Sequence, residues 1–90
     1  MEYRLKPGLL LQAVGDETVI LDPESGNYFT LDEVGSRMIA LYRECAQMET
    51  TVSRLLREYE TDAATLRHDL EALLEEMERQ GLAQRAITEP

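Results

Sequence analysis

The sequence is poor in the residue types that most often carry chemistry. It has one cysteine, Cys45, one histidine, His68, and no tryptophan. A single cysteine excludes an internal disulfide and favours a reducing compartment. The apolar run at residues 9–11 is far too short to span a membrane, and no apolar signal core follows the first basic residues. These absences predict a cytoplasmic protein without a membrane partner.

Catalytic and cofactor-binding motifs are also missing. The chain has no Cys-x-x-Cys, no glycine-rich phosphate loop and no His-Glu-x-x-His. His68 lies between Arg67 and Asp69 on the charged side of a predicted helix, without the convergent partners that a metal or catalytic role requires. Cys45 ends an apolar stripe and fits a buried structural thiol. We therefore expect no enzymatic activity, no cofactor and no metal.

The charge balance limits the kinds of partner. There are 18 acidic against 9 basic residues, a net charge of −9. Such a field repels nucleic acids and anionic lipid surfaces. It favours a basic partner, or one held through backbone and apolar contacts. With 90 residues, of which 43% are hydrophobic, the chain is expected to form a single domain, 1–90, with an ordered core at about 8–83.

Three short segments are typical of β-strands because they are rich in apolar, β-branched or aromatic residues. They lie at residues 9–14, 18–22 and 27–31. The connections between them are short, and Pro23 with Gly26 strengthens the second turn. Two short connections predict a three-stranded antiparallel meander. Residues 1–8, which end in a Pro-Gly pair, are expected to be irregular.

After the third strand the apolar period changes from two to about 3.6, which predicts three helices. Their expected N-terminal residues are, in order, Asp32, Thr50 or Thr51, and Thr61 or Asp62. Gly35 is costly inside a helix, so we expect it to allow a close approach to the sheet. Gly81 is expected to end the third helix, and residues 84–90 to form a frayed tail.

Each predicted helix has one apolar face. The members are Val34, Met38, Leu41, Tyr42 and Cys45 in the first helix, Val52, Leu55, Leu56 and Tyr59 in the second, and Leu66, Leu70, Leu73, Leu74 and Met77 in the third. A three-stranded sheet needs its apolar face covered, and these helices must cover it. The order predicts an α+β domain of the winged helix-turn-helix type. The third strand leads directly into the helices, so we expect it at an edge of the sheet.

Two stretches of the sequence resemble the PqqD-like family. In the first, residues 21–35, a strand with an aromatic residue is followed by Leu31-Asp32 at the start of a helix. The second, residues 66–74 continuing to Gly81-Leu82, is similar to the family's last helix and its closing Gly-Leu. Order and spacing extend the resemblance over roughly residues 8–83. The Pro-Glu-Ser-Gly turn resembles the stand-alone recognition proteins of lasso-peptide pathways more than the pyrroloquinoline quinone protein.

The resemblance implies a protein that binds the leader of a ribosomally made precursor peptide. The leader is expected to add as a strand to the third strand, beside the last helix, and to be presented to a modifying enzyme such as a leader peptidase or cyclase. The residues to which the resemblance gives this role are Asn27, Tyr28, Phe29, Thr30, Leu66, Arg67, Leu70 and Leu74. For the two aromatic residues and the three leucines, ordinary core packing is the alternative.

Two other functions remain open at this point. A winged-helix DNA-binding regulator has the same architecture. However, the predicted third helix is strongly acidic, whereas a helix that lies in a phosphate-lined groove should carry more basic than acidic residues. Its charged residues include Asp62, Asp69, Glu71, Glu75, Glu76 and Glu78 against only Arg67 and Arg79. The second alternative is a structural adaptor or small homodimer, in which the edge strand pairs with its own copy. We expect a monomer or weak dimer.

Overall fold

The computed structural model describes residues 2–86, and the side chains of residues 3–85. The strands are β1 (Glu2–Leu5), β2 (Leu10–Val14), β3 (Glu17–Leu21), β4 (Tyr28–Leu31) and β5 (Ala83–Ala86), and the helices are α1 (Glu33–Cys45), α2 (Met48–Leu55) and α3 (Ala63–Arg79). The predicted α+β class is confirmed, with a three-stranded antiparallel sheet followed by three helices. None of the helices within residues 2–86 is long and apolar enough to cross a membrane.

The three-stranded sheet is the predicted meander, in the order β2-β3-β4. Its register aligns the side chains of neighbouring strands in rows, and successive rows alternate between the two faces of the sheet. The row Leu11–Ile20–Phe29 faces the helices, and Ile20 is fully buried. β4 is an edge strand, as expected, and it continues into α1 after a single residue.

The junction between β4 and α1 is held by an N-cap. Asp32 accepts a hydrogen bond from the Gly35 N–H at 2.7 Å, which satisfies a donor that the first helical turn leaves open. A Cβ at Gly35 would lie 3.1 Å from the capping oxygen and 3.6 Å from Leu31 Cβ. Gly35 therefore makes room for the cap and for the last residue of the edge strand.

The second helix begins earlier than the sequence indicates. It starts at Met48, so the prediction that Thr50 or Thr51 opens it is wrong. Gln47 occupies the N-cap position without a side-chain hydrogen bond to the helix backbone. The Thr51 hydroxyl instead donates to the Gln47 carbonyl at 2.7 Å, so this buried threonine is satisfied within the helix.

Both ends of α3 follow the sequence signals. The Asp62 side chain accepts from the Thr65 N–H at 2.7 Å at the N-terminus. At the C-terminus Gly81 has a φ of +80°, and the Leu82 N–H donates to the Met77 carbonyl at 2.8 Å. This is a Schellman motif, and it turns the chain back towards the core.

The two chain ends pair with each other, which the sequence interpretation missed. β1 and β5 form an antiparallel two-stranded sheet, from Glu2 opposite Ala86 to Leu5 opposite Ala83. The expectation of an irregular N-terminal segment is therefore wrong for residues 2–5, and the expectation of a frayed tail is wrong for residues 84–86. Residues 87–90 lie outside the described part of the chain. The estimated ordered core, 8–83, leaves out most of this sheet.

The β1 strand is fixed to α1 through two buried tyrosines. The Tyr42 hydroxyl accepts a hydrogen bond from the Tyr3 N–H at 3.0 Å and donates to the Tyr3 carbonyl. Tyr3 is 3% exposed and Tyr42 is 1% exposed. This contact closes one side of the hydrophobic core.

One hydrophobic cluster joins the sheet, the three helices and the terminal strands. Its members are Tyr3, Ile20, Leu31, Met38, Ile39, Leu41, Tyr42, Met48, Val52, Leu55, Leu66, Leu70, Leu74, Met77, Leu82 and Ala83. Most residues of the predicted apolar faces are included. Val34 and Leu56, both 39% exposed, lie outside it, so these two positions were wrongly assigned to buried faces.

Candidate functional site

The turn that leads into β4 is organised by a buried carboxylate. Asp22 accepts hydrogen bonds from the Glu24 N–H at 3.0 Å, from the Ser25 hydroxyl at 2.9 Å and from the Lys6 ammonium at 2.6 Å. The Gly26 N–H donates to the Asp22 carbonyl. The start of the edge strand is therefore fixed to β3 and to the segment that follows β1.

These contacts make the carboxylate the favoured form of Asp22. The hydrogen bond from Lys6 lowers the pKa of the Asp22 carboxyl below its ordinary value of 3.8. Burial opposes this effect, whereas the Ser25 hydroxyl and the Glu24 N–H add to it. The same partnership raises the pKa of Lys6.

Acid is expected to weaken this turn. Because the pKa of Asp22 is lower in the folded than in the unfolded chain, its contribution to stability is fully present above about pH 4 and is lost as the pH falls through the folded value. Asp22→Asn should lower the melting temperature by roughly 5 °C at neutral pH and flatten its decline between about pH 4 and pH 2. Circular dichroism melts across this pH range measure both effects. Asp16→Asn, in the exposed hairpin loop, is the control and should leave the pH dependence of the melting temperature unchanged. If Asp22→Asn also melts with the same pH dependence as the parent protein, the stabilising role assigned to the Asp22 carboxylate is contradicted.

The pairing pattern identifies the main-chain groups on the open edge of β4. The Asp22 N–H donates to the Asn27 carbonyl at 2.8 Å. Hydrogen-bonded pairs alternate along an antiparallel ladder, so Phe29 and Leu31 exchange bonds with β3. Tyr28 and Thr30 then direct their N–H and C=O groups away from β3. No strand within residues 2–86 pairs with this side of β4.

The side chains of the predicted strand site lie on two faces. Asn27 and Thr30 are exposed, and Tyr28 is 72% exposed on the outer face of the sheet. Phe29 is half-buried and packs against the core on the inner face. The edge of β4 thus offers main-chain groups between the exposed side chain of Tyr28 on the outer face and the half-buried side chain of Phe29 on the inner face.

The third-helix residues of the predicted site divide into core and surface. Leu70 and Leu74 are fully buried, and Leu66 is 4% exposed. Arg67 is partly exposed and donates two hydrogen bonds, at 2.7 and 2.8 Å, to the carboxylate of Glu49 on α2. Glu49 raises the pKa of Arg67, and Arg67 lowers that of Glu49. The structure therefore places the leucines in the core; their role in peptide binding, like that of the other site residues, stays a prediction.

The surface of α3 does not fit a phosphate backbone. Its two arginines are both engaged by carboxylates, Arg67 by Glu49 and Arg79 by Glu76. The other Asp, Glu, Lys and Arg residues of the helix are all acidic. A helix that enters a nucleic-acid groove needs free cations on its surface.

The chemically reactive residues are engaged in local contacts or isolated. The Cys45 thiol is half-buried and contacts the Leu41 and Gln47 carbonyls and the Thr51 hydroxyl at 3.4–3.6 Å. His68 is exposed on α3. Across the described part of the chain, no group of three or more His, Cys, Asp or Glu residues has an arrangement that could hold a metal ion.

The open edge of β4 is a kind of surface to which an extended peptide can add as a further strand. Residues 17–83 match the family described as Coenzyme PQQ synthesis protein D (PqqD). The chain belongs to this family. Among curated proteins, no sequence matches significantly.

Two solved structures share the fold over nearly the whole chain. One is TbiB1 in complex with the TbiA(beta) leader peptide, with 29% identity, a TM-score of 0.83, and coverage of 94% of this chain and 99% of that one. The other is a lasso peptide synthetase B1 complexed with the leader peptide, with 24% identity, a TM-score of 0.81, and coverage of 94% and 100%. At 24% identity, the similarity to the lasso peptide synthetase B1 structure establishes the fold alone.

Proposed function

We propose that this protein binds the leader segment of a ribosomally made precursor peptide as an additional strand on β4 and presents it to a modifying enzyme. The open edge carries the proposal, because Tyr28 and Thr30 offer main-chain donors and acceptors that an extended peptide can satisfy. Backbone pairing gives affinity with little demand on the leader sequence. Selectivity then comes from the few leader side chains that lie next to Phe29 on the inner face or Tyr28 on the outer face.

The likeness to known proteins supports the same function. TbiB1, which is 29% identical to this chain, is solved with a leader peptide bound. Family membership favours a recognition protein without catalysis of its own, and the sequence, with one cysteine and one histidine, is consistent with that role. We infer that it acts in the cytoplasm with a leader peptidase or cyclase as partner, in a pathway of the lasso-peptide type.

Hydrogen exchange at single residues tests the proposal directly. The probe is a synthetic leader peptide, identified by a search for a short precursor gene near this protein's gene, and it is added to isotope-labelled protein. We expect the Tyr28 and Thr30 amides to exchange at least about tenfold more slowly with the leader bound, because each gains an acceptor. The Phe29 and Leu31 amides already bond to β3, so they should change little and serve as internal controls.

The residues whose amide hydrogens exchange more slowly distinguish between binding modes. Slower exchange confined to α3, with Tyr28 and Thr30 unchanged, would place the peptide elsewhere and refute strand addition on β4. Pairing of β4 with a second copy of the chain would slow the same amides without peptide, in proportion to protein concentration. Sedimentation at several concentrations separates this homodimer from leader binding.

A further inference from the structure

A cavity of about 440 Å³ lies at the opposite end of the sheet from β4. It is bounded by β1, by the segment that joins β1 to β2, and by the C-terminal end of α1. The residues that line it are Arg4, Leu5, Lys6, Pro7, Gly8, Leu9, Leu11, Tyr42, Arg43 and Ala46. Its wall is therefore largely apolar, with cationic side chains among the lining residues.

The charge of this cavity is opposite to that of the protein. The chain has a net charge of −9, yet three of the ten lining residues are basic and none is acidic. Lys6 is neutralised by Asp22 at 2.6 Å. Arg4 and Arg43 remain as the sources of positive charge at this corner.

These two arginines differ from most other cations of the protein. Lys6 and five arginines each have a carboxylate within 4.0 Å, and these arginines are Arg37, Arg54, Arg67, Arg79 and Arg85. Among the described residues, Arg4, Arg43 and Arg57 have no such partner. In a protein with twice as many acidic as basic residues, two of these three line one cavity.

The cavity also adjoins a second open sheet edge. β2 is the other terminal strand of the three-stranded sheet. Ile20 and Thr18 of β3 bond to β4, so their β2 partners, Leu11 and Ala13, direct their main-chain groups to the outer side. Leu11 also lines the cavity. An extended polypeptide beside Leu11 would have a main-chain partner and an apolar pocket at the same position.

We propose that this corner binds an acidic, extended segment of a second protein. An apolar side chain of that segment occupies the cavity, its carboxylates pair with Arg4 and Arg43, and its backbone lies along β2. The repulsion that a net charge of −9 exerts on an acidic ligand is overcome locally by these two cations. This site stands independently of the leader-binding edge. With both present, the protein holds a leader on β4 and a second protein on β2 at the same time.

Peptides of defined composition test this site. The first probe is an extended peptide with blocked ends and a central leucine flanked by threonine and glutamate, and the second has lysine in place of glutamate. We expect the glutamate peptide to shift amide resonances of residues 4–11 and 43–46 at low salt. The lysine peptide, which the overall charge attracts, should not shift them. Arg4→Gln and Arg43→Gln should each weaken binding by about fivefold.

Arg57→Gln is the matched control, because it removes an equally unpaired charge from outside the cavity. Its affinity for the glutamate peptide should stay within about twofold of the parent protein. Failure of the glutamate peptide to bind at millimolar concentration, stronger shifts with the lysine peptide, or an equal loss in Arg57→Gln would each overturn the proposal. Leader affinity should be unchanged in Arg4→Gln and Arg43→Gln; its loss would mean that the two ligands share one site.

Discussion

Replacing Leu70 with aspartate is expected to unfold the protein. Leu70 is fully buried on α3, in the cluster that joins the helices to the sheet. A lone carboxylate at this position would have no partner, and leaving a buried charge unpaired costs several kcal/mol, comparable to the total stability of about 5–15 kcal/mol of a small domain. Leu70→Ala should cost about 2–5 kcal/mol and leave the chain folded. Denaturant titration followed by circular dichroism measures both.

Ala72→Asp provides the matched control, because it adds the same charge to the exposed side of the same helix. It should change stability by less than about 0.5–1 kcal/mol. A Leu70→Asp protein that unfolds at the same denaturant concentration as the parent would contradict the burial of this face. A folded Leu70→Asp protein without leader binding would instead place Leu70 in the binding cleft.

Replacing Thr30 with proline is expected to weaken leader binding by about tenfold while the fold persists. The Thr30 N–H points away from β3, so proline removes a donor that the added strand needs without breaking a bond of the existing sheet. The missing hydrogen bond accounts for about 1 kcal/mol, and crowding by the proline ring increases the loss. Calorimetric titration with the leader peptide measures the affinity, and circular dichroism checks the fold.

Two companion variants separate the backbone from the side chain. Thr30→Ala keeps the N–H and should bind the leader within about twofold of the parent protein. Phe29→Pro removes a donor that is bonded to β3 and should destabilise the protein itself. Unchanged leader affinity in Thr30→Pro would exclude the open edge of β4 as the binding site.

The central elements could be predicted because their local signals agree with the tertiary structure. The turns at residues 15–16 and 23–26 separate segments of the expected strand character, and Asp32 and Asp62 cap their helices as expected. The edge position of β4 followed from the order of elements. In each case local propensity, turn chemistry and periodicity point to one answer.

The terminal sheet could not be predicted because its cause is not local. The sequence of β5, Ala-Gln-Arg-Ala, contains no β-branched or aromatic residue, and β1 is only four residues long. They form strands because the Schellman motif at Gly81 returns the chain to β1 and because Tyr42 holds Tyr3. Only a fold in three dimensions brings these segments together.

The candidate site could be predicted from the sequence only in part, for the same reason. The open main-chain groups of Tyr28 and Thr30 follow from the register, which the sequence does not give. The pairing of Arg67 with Glu49 depends on how α2 packs against α3. The exposed row Leu10–Leu21–Tyr28 on the outer sheet face was also missed, because β2, with the sequence Leu-Leu-Gln-Ala-Val, carries apolar residues on both of its faces.

The antiparallel arrangement of β1 and β5 determines how the protein responds to mechanical force. Glu2 and Ala86 lie opposite each other at the outer end of the pair. Traction on the two chain ends therefore opens this small sheet like a zipper, one bond at a time, instead of shearing all its bonds together. Each bond contributes only about 1 kcal/mol, and bonds that break in sequence resist less force than bonds that break together, so this pair is expected to open at low force. Because Arg4 and Leu5 belong to β1 and also line the cavity beside β2, opening of the terminal sheet removes part of the wall of that cavity.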